Sequence, residues 1–413
     1  MSESGGKRPL LARGLSDLRE RASPVREIMQ LASKKQGEMI SLAGGWVNHE
    51  APELLRESYQ RLVSDPALFH ASGGYSATGG SQACRQAIVN YEAHAFGVTG
   101  LGPEQVVIGQ SSTQLTHALL QVLLDPGDTV LLLDPSYCNF PAQVQAAGGP
   151  NDGRIVEYFG ALDAGTFRYV LEERVGEFAA AIRARRPKVV LLVSPDNPTS
   201  QVLSDSVIQA AVEAARETGA VVIIDMAYKE LVFERPYPRY FAAGPNEHFI
   251  TIHSNSKWIR GLGRRLGWVE APEEVVQAIE LVQGTTILAP DTLHQLAFAD
   301  FVERAIAQGA ILPYLDATRA LYARAAATLV AQIDEHLGVP RLVPQGGLYT
   351  CIQTPGPGRE FVDRALQAGV IAVPGAGFGP SLQRAARISF GPLVNDLGRL
   401  GEAIKRLGQV IHA

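Results

Sequence analysis

The sequence predicts an α/β protein: a mostly parallel sheet flanked by helices, with a smaller α+β domain. Three observations predict it. Four short runs, Val106–Ile108, Thr129–Leu133, Val189–Val193 and Val221–Ile224, are nearly continuous in hydrophobicity, as strands buried on both faces must be. Helix-like stretches lie between them at Thr113–Leu124, Val175–Arg185 and Ser204–Thr218, and this alternation builds a parallel sheet covered by helices. Towards the C-terminus the texture changes to two long helical patterns, Leu296–Ala307 and Tyr314–Leu337, followed by short strands near Gly347–Ile352 and Ala385–Phe390.

Turn chemistry supports these breaks. Asp125-Pro126-Gly127-Asp128 closes one helix and Glu217-Thr218-Gly219 another, because proline and glycine end a helix at its C-terminus. The expected division is an N-terminal arm with part of the small domain over 1–45, a large domain over 46–295 and a small domain over 296–413. A chain of 413 residues that is 46% hydrophobic has ample material for such a core.

Composition excludes several function classes. A net charge of −5 offers no basic surface for nucleic acid or an anionic membrane. No apolar run approaches the roughly 18 residues of a membrane span, and Met1–Arg13 lacks the apolar stretch of a signal peptide. The three cysteines, Cys84, Cys138 and Cys351, are far apart and form no Cys-x-x-Cys pair, which suits a reducing cytoplasm. His248 and His253 lack metal-ligand spacing with any acidic or thiol partner, so no metal is expected.

In open α/β sheets ligands sit beyond the carboxyl ends of the strands. Reading those ends in order gives Ser194-Pro195-Asp196-Asn197-Pro198-Thr199, then Asp225-Met226-Ala227-Tyr228, then Ser254-Asn255-Ser256-Lys257 with Gly263-Arg264-Arg265-Leu266-Gly267. An amide, an acid with a phenol, and a lysine beside hydroxyls and an arginine therefore gather at one sheet edge. A lysine there can form an imine, an aspartate can hold a proton on a ring nitrogen, and hydroxyls with arginine can grip a phosphate. Counting back from Asp125 places Ser111-Ser112-Thr113 at the mouth of a helix, where free N–H groups and the dipole favour an anion.

On these residues the chain resembles the fold-type I pyridoxal 5′-phosphate (PLP) enzymes of the class I/II aminotransferase family. Ser-x-Ser-Lys followed by Gly-x-Arg-x-Gly carries most of the resemblance, with 28 residues from Asn197 to Asp225, 32 from Asp225 to Lys257 and eight from Lys257 to Arg265. It extends from Leu42-Ala43-Gly44-Gly45 to Arg387-Ile388-Ser389-Phe390. The resemblance implies PLP as cofactor, with Lys257 as its imine lysine and proton shuttle. It makes Asp225 the partner of the pyridine nitrogen, Tyr228 and Asn197 the donors to the phenolic oxygen, and Tyr137 the aromatic stacked on the ring. Ser111, Ser112, Thr113, Ser254 and Arg265 would hold the phosphate, and Tyr75 would reach the neighbouring subunit's phosphate in a homodimer. Arg387 would fork onto the carboxylate of a small-molecule amino acid, with Asn197 and the backbone near Gly45 closing over it.

Four positions depart from the family pattern: Met226 replaces the usual acid, Ser200 the usual glycine, Ala289-Pro290 a phosphate-contacting serine, and Gly80–Arg85 the Gly-Leu-Pro-x-Leu-Arg stretch. Simpler readings compete at individual residues. Asp225 could cap a helix, Arg387 could be a surface ion-pair partner, Tyr137 could be plain core, and Tyr75 a loop aromatic. Gly261-Leu262-Gly263 with Gly267 has one residue too many for a dinucleotide fingerprint, and the basic Arg183–Lys188 cluster suits a helix C-terminus. The leading function is transfer of an amino group from an amino acid to a 2-oxo acid. The alternatives are elimination or replacement at Cβ or Cγ, cyclisation of an S-adenosylmethionine- or arginine-derived intermediate, C–C bond formation, and a ligand sensor without turnover. No arginine in Gln283–Thr292 resembles a second-carboxylate clamp, which argues against a dicarboxylic substrate.

Overall fold

The computed structural model describes residues 24–33, 38–148 and 153–412; the reading of Met1–Arg13 lies outside them. Its centre is a seven-stranded sheet made of β1 (Val106–Gly109), β2 (Thr129–Asp134), β3 (Ile155–Gly160), β4 (Val189–Val193), β5 (Val221–Asp225), β6 (Phe249–Ser254) and β7 (Gly267–Glu270). The spatial order is β1-β7-β6-β5-β4-β2-β3, with β7 antiparallel to both neighbours and the pairs from β6 to β3 parallel.

The near-continuous hydrophobicity of these strands follows from their two covered faces. Val130, Leu132, Leu191 and Ile223 pack on one face against Leu115 and Leu119 of α2 (Ser112–Leu123) and Ile279 of α5 (Glu273–Thr286). Their alternates Leu131, Leu133, Val190, Leu192 and Ile224 face Phe178 of α3 (Val175–Arg185) and Val207 and Ala211 of α4 (Asp205–Thr218). Each such side chain contributes about 1.5–3 kcal/mol when fully buried, so neither face tolerates polar alternation. Ser204 caps α4 by accepting from Val207 N–H at 3.3 Å, and Gly219 ends it at φ 78°, as the sequence predicts. Arg183 and Arg185 lie in the last turn of α3, and Arg183 pairs with Glu217 at the surface.

Beyond the four predicted runs and β6, whose carboxyl end the sequence places at Ser254, two further strands complete the sheet. β3 is an edge strand with mostly half-buried side chains, so its hydrophobicity is interrupted. β7 is four residues long and ends in a buried Glu270.

A third core joins α1 (Gln82–Phe96) and α6 (Thr292–Ala307) to the sheet through Tyr91, Trp258, Trp268, Phe298 and Phe301. The C-terminal part holds the three-stranded antiparallel sheet β8 (Tyr349–Gln353), β9 (Val373–Pro374) and β10 (Ala385–Ser389), in the order β8-β10-β9. α7 (Ile311–His336), α8 (Gly358–Gln367) and α9 (Leu397–His412) share its apolar core. Ile40–Ser41 pairs in parallel with Val370–Ile371, which ties the segment near residue 40 to this C-terminal part. Among the described residues no helix is long and apolar enough to cross a membrane.

Candidate active site

Five strand ends converge on one cavity of about 160 Å³. Ser111 follows β1, Tyr137 follows β2, Asn197 follows β4, Asp225 ends β5, and Ser254 ends β6 three residues before Lys257. All of these, with Ser112, Thr113, Tyr228 and Arg265, line the cavity. The sequence-predicted residues thus meet within one space, apart from Gly45 and Arg387 at its margin and Tyr75.

One end of the cavity is built for an anion. Ser111 caps α2, accepting from Gln114 N–H at 3.3 Å, so Ser112 and Thr113 form the first turn, whose free N–H groups favour an anion. Ser254 Oγ bonds to Ser256 Oγ at 2.9 Å, and Arg265 lies in the left-handed region at φ 55°. The glycine of the Gly-x-Arg-x-Gly motif has a steric reason. A Cβ on Gly267 would stand 2.8 Å from Ser112 N and 2.9 Å from Ser111 C, which would push β7 off the helix mouth.

The cavity also holds a carboxylate and two phenols, Asp225, Tyr137 and Tyr228. Asp225 is buried, and its Oδ1 accepts from Ala227 N–H at 2.9 Å. Burial pushes its carboxyl up to about 6, opposed by that hydrogen bond and by the Lys257 charge. Even so raised, it stays mostly a carboxylate at neutral pH, the form that attracts a cationic partner. Tyr137 accepts from Asn139 Nδ2 at 2.8 Å and packs edge-on against Phe140. Tyr228 meets the hydroxyl of Tyr349 at 3.0 Å.

Lys257 lines the same cavity. Burial lowers its amine to about 8, helped by Arg387 and Arg265 and resisted by Asp225. Its Nζ donates to Gly45 O and lies 5.4 Å from the Tyr228 ring centre. A Cβ on Gly45 would reach Tyr349 Oη at 2.7 Å, so glycine is what lets this backbone approach the lysine.

Arg387 is not a surface ion-pair partner. It is 2% exposed, donates to Asn197 Oδ1 at 2.9 Å and Ala43 O at 2.7 Å, and lies between the rings of Tyr349 and Phe378 at 4.3 and 4.9 Å. Its Nε has no hydrogen-bond partner. A fully buried guanidinium with an orphaned donor is a fit for a planar carboxylate. Tyr75 stands apart: at 86% exposed it lines no part of the cavity in its own chain.

Sequence reasoning missed three features. Ser256 lines the cavity; its motif was noted without giving it a role. Tyr349 lies on a different sheet, 121 residues from Tyr228, and nothing local marks it except the preceding Gly346-Gly347. The expectation that His253 has no acidic partner also needs correction. His253 Nε2 is 3.3 Å from Glu270 and its Nδ1 is 3.8 Å from Glu92, because β6, β7 and α1 bring distant residues together. The cation in that buried cluster is the Lys229 ammonium, donating to both Glu92 oxygens at 2.5 and 2.6 Å. A larger surface groove of about 970 Å³, lined by residues such as Arg168, Arg239 and Arg341, shares no residue with the site.

Comparison with known proteins agrees with this geometry. Residues 39–404 match the family model described as Aminotransferase class I and II, and the chain belongs to that family. It is 27% identical over 373 residues to an aspartate/prephenate aminotransferase of Thermus thermophilus, covering 89% of this chain and 91% of that protein. It is 30% identical over 389 residues to the LL-diaminopimelate aminotransferase of Desulforudis audaxviator, covering 91% and 92%. In structure it is similar to the aspartate aminotransferase of Thermus thermophilus with maleate, with a TM-score of 0.84 at 24% identity, covering 98% of this chain and 100% of that one. The protein is an enzyme that moves an amino group from an amino acid to a 2-oxo acid.

Proposed function

We propose that this aminotransferase works with PLP held on Lys257. The observation that carries the reading is one cavity with a buried carboxylate at one end, an anion cup at the other and a depressed lysine between them. The fit is chemical: a ring nitrogen suits Asp225, a phenolic oxygen suits Asn197 and Tyr228, a ring face suits Tyr137, and a phosphate suits Ser111, Ser112, Thr113, Ser254 and Arg265. When bound, PLP supplies the electron sink for the substrate Cα bond and carries the amino group between half-reactions.

The chain's own residues do the rest. Arg387 binds the substrate α-carboxylate through its fork, with Asn197 and Gly45 closing over it, and so fixes which Cα bond faces Lys257. Lys257 Nζ would take the substrate Cα proton and hand it back from the same side, a task matched by an amine near 8. Asp225 holds the proton on the ring nitrogen. We divide the chain into an arm with part of the small domain over 1–45, a large domain over 46–295 and a small domain over 296–413.

The test uses the lysine's acidity. The neutral amine is the nucleophile, so the rate of PLP attachment should rise with pH and level off above about 8. Samples quenched with borohydride at timed intervals would be mapped by trypsin. The expected result is a pyridoxyl group on Lys257 with that midpoint. A label on another lysine, or a midpoint at the ordinary 10.5, would contradict the reading.

We also propose a symmetric homodimer with Tyr75 reaching the partner's phosphate. Leu68, Phe69 and Tyr75 are exposed large apolar side chains in one chain, and exposed apolar surface is what an interface covers. Light scattering should give a particle twice the 44.3 kDa chain; a fully active monomer would refute it. Cytoplasmic residence is supported by the three cysteines, which are buried and form no disulfide; cell fractionation placing the enzyme elsewhere would overturn it. The substrate is an amino acid, and the lack of arginine in Gln283–Thr292 favours one with a single carboxylate.

A further inference from the structure

We propose that Tyr349 is a positioning residue that acts through Tyr228: its hydroxyl donates to the Tyr228 oxygen, committing the Tyr228 proton to the cofactor's phenolic oxygen. This rests on the assignment of Tyr228 to that oxygen.

The two hydroxyls are 3.0 Å apart and the rings meet edge to face at 5.9 Å and 76°. Both residues are buried, and Tyr228 lines the cavity. A phenol has a single proton and can also accept. Once Tyr228 gives its proton to the cofactor, its lone pair needs a donor, and the Tyr349 O–H is the group within reach. Charge orders the pair. Burial raises both phenols, Tyr228 well above its ordinary range, and Arg387 opposes the rise in both but most at Tyr349, whose ring centre is 4.3 Å from the guanidinium. Tyr349 is thereby the stronger acid and the natural donor.

The position of Tyr349 is itself fixed by Ser200, which stands where the family pattern has glycine. Ser200 lies in the left-handed region at φ 56°, a costly conformation for a side chain that the site retains. Its Oγ accepts from Tyr349 N–H at 3.0 Å, while its N–H donates to Asp196 O at 2.8 Å and its carbonyl accepts from Gln345 N–H at 2.9 Å. Gly347, at φ 66°, makes room: a Cβ there would stand 3.1 Å from Ser200 Oγ. The loop bearing Asn197 is thus clipped to β8, and β8 delivers the phenol to Tyr228.

A hydrogen bond accepted by Tyr228 strengthens the one it donates. Negative charge on the phenolic oxygen is then easier to hold, which lowers the pH at which the Lys257-bound chromophore loses its proton. Tyr349→Phe keeps the ring against Arg387 and removes only the hydroxyl. The spectral titration midpoint should rise by about half a pH unit or more. In a Tyr228→Phe background, adding Tyr349→Phe should leave the midpoint where it is, because the path runs through Tyr228. Ser200→Ala, which frees β8 without touching either phenol, should move the midpoint the same way by less, and serves if Tyr349→Phe does not fold. An unchanged midpoint in Tyr349→Phe, or an equal shift with and without Tyr228, would overturn the proposal while leaving PLP on Lys257 intact. A wild-type protein that gains no chromophore would instead overturn the cofactor assignment, and this proposal with it.

Discussion

Asp225→Ala should lower kcat by at least about 100-fold, the scale of losing a preorganised electrostatic partner, while Tyr228→Phe should cost far less. The carboxylate is buried, held by the Ala227 N–H and poised near 6. In the proposed arrangement it would decide whether the ring nitrogen keeps its proton, and with it whether the site can stabilise the electron pair left at Cα. The Tyr228 phenol only adjusts the charge on the phenolic oxygen. Steady-state rates of the two variants at saturating PLP check this ordering. Equal activities would count against a ring-nitrogen role for Asp225.

Arg387→Lys should raise KM for the amino donor by one to two orders of magnitude, roughly 1.4–2.8 kcal/mol, with PLP affinity little changed. Lysine keeps the charge but loses the planar fork: its three donors share one nitrogen, whereas Arg387 spreads contacts to Asn197 and Ala43 and an unpartnered Nε over three nitrogens. Kinetics and cofactor titration on the same variant separate the outcomes. Loss of PLP with an unchanged KM would move Arg387 from the substrate site to the cofactor's.

Much of this site is legible because its residues follow strands directly. Asn197, Asp225 and Lys257 each lie within four residues of a strand end, so finding the strands finds them. The strands in turn are readable because both faces of β4 and β5 are covered, which forces every position to be apolar until Asp225. Ser111 needed only helix capping. The features that were not legible depend on packing between elements. Tyr349 reaches Tyr228 through the docking of β8 on the loop at Ser200. The Lys229–Glu92 pair and its neighbours His253 and Glu270 come from the turn after β5, α1, β6 and β7. Half-buried β3 lacks the continuous hydrophobicity that marks its neighbours. Tyr75 is 86% exposed and lines no part of the cavity in its own chain.

The most direct test of the account follows the absorbance of the PLP-loaded enzyme through one half-reaction at a time. Adding an amino donor with a single carboxylate, without any 2-oxo acid, should bleach the yellow band and leave the spectrum of the cofactor's amine form. Adding a 2-oxo acid should then restore the yellow, one equivalent for one. Sustained turnover of the amino acid with the yellow band retained and no 2-oxo acid present would contradict amino-group transfer at this site.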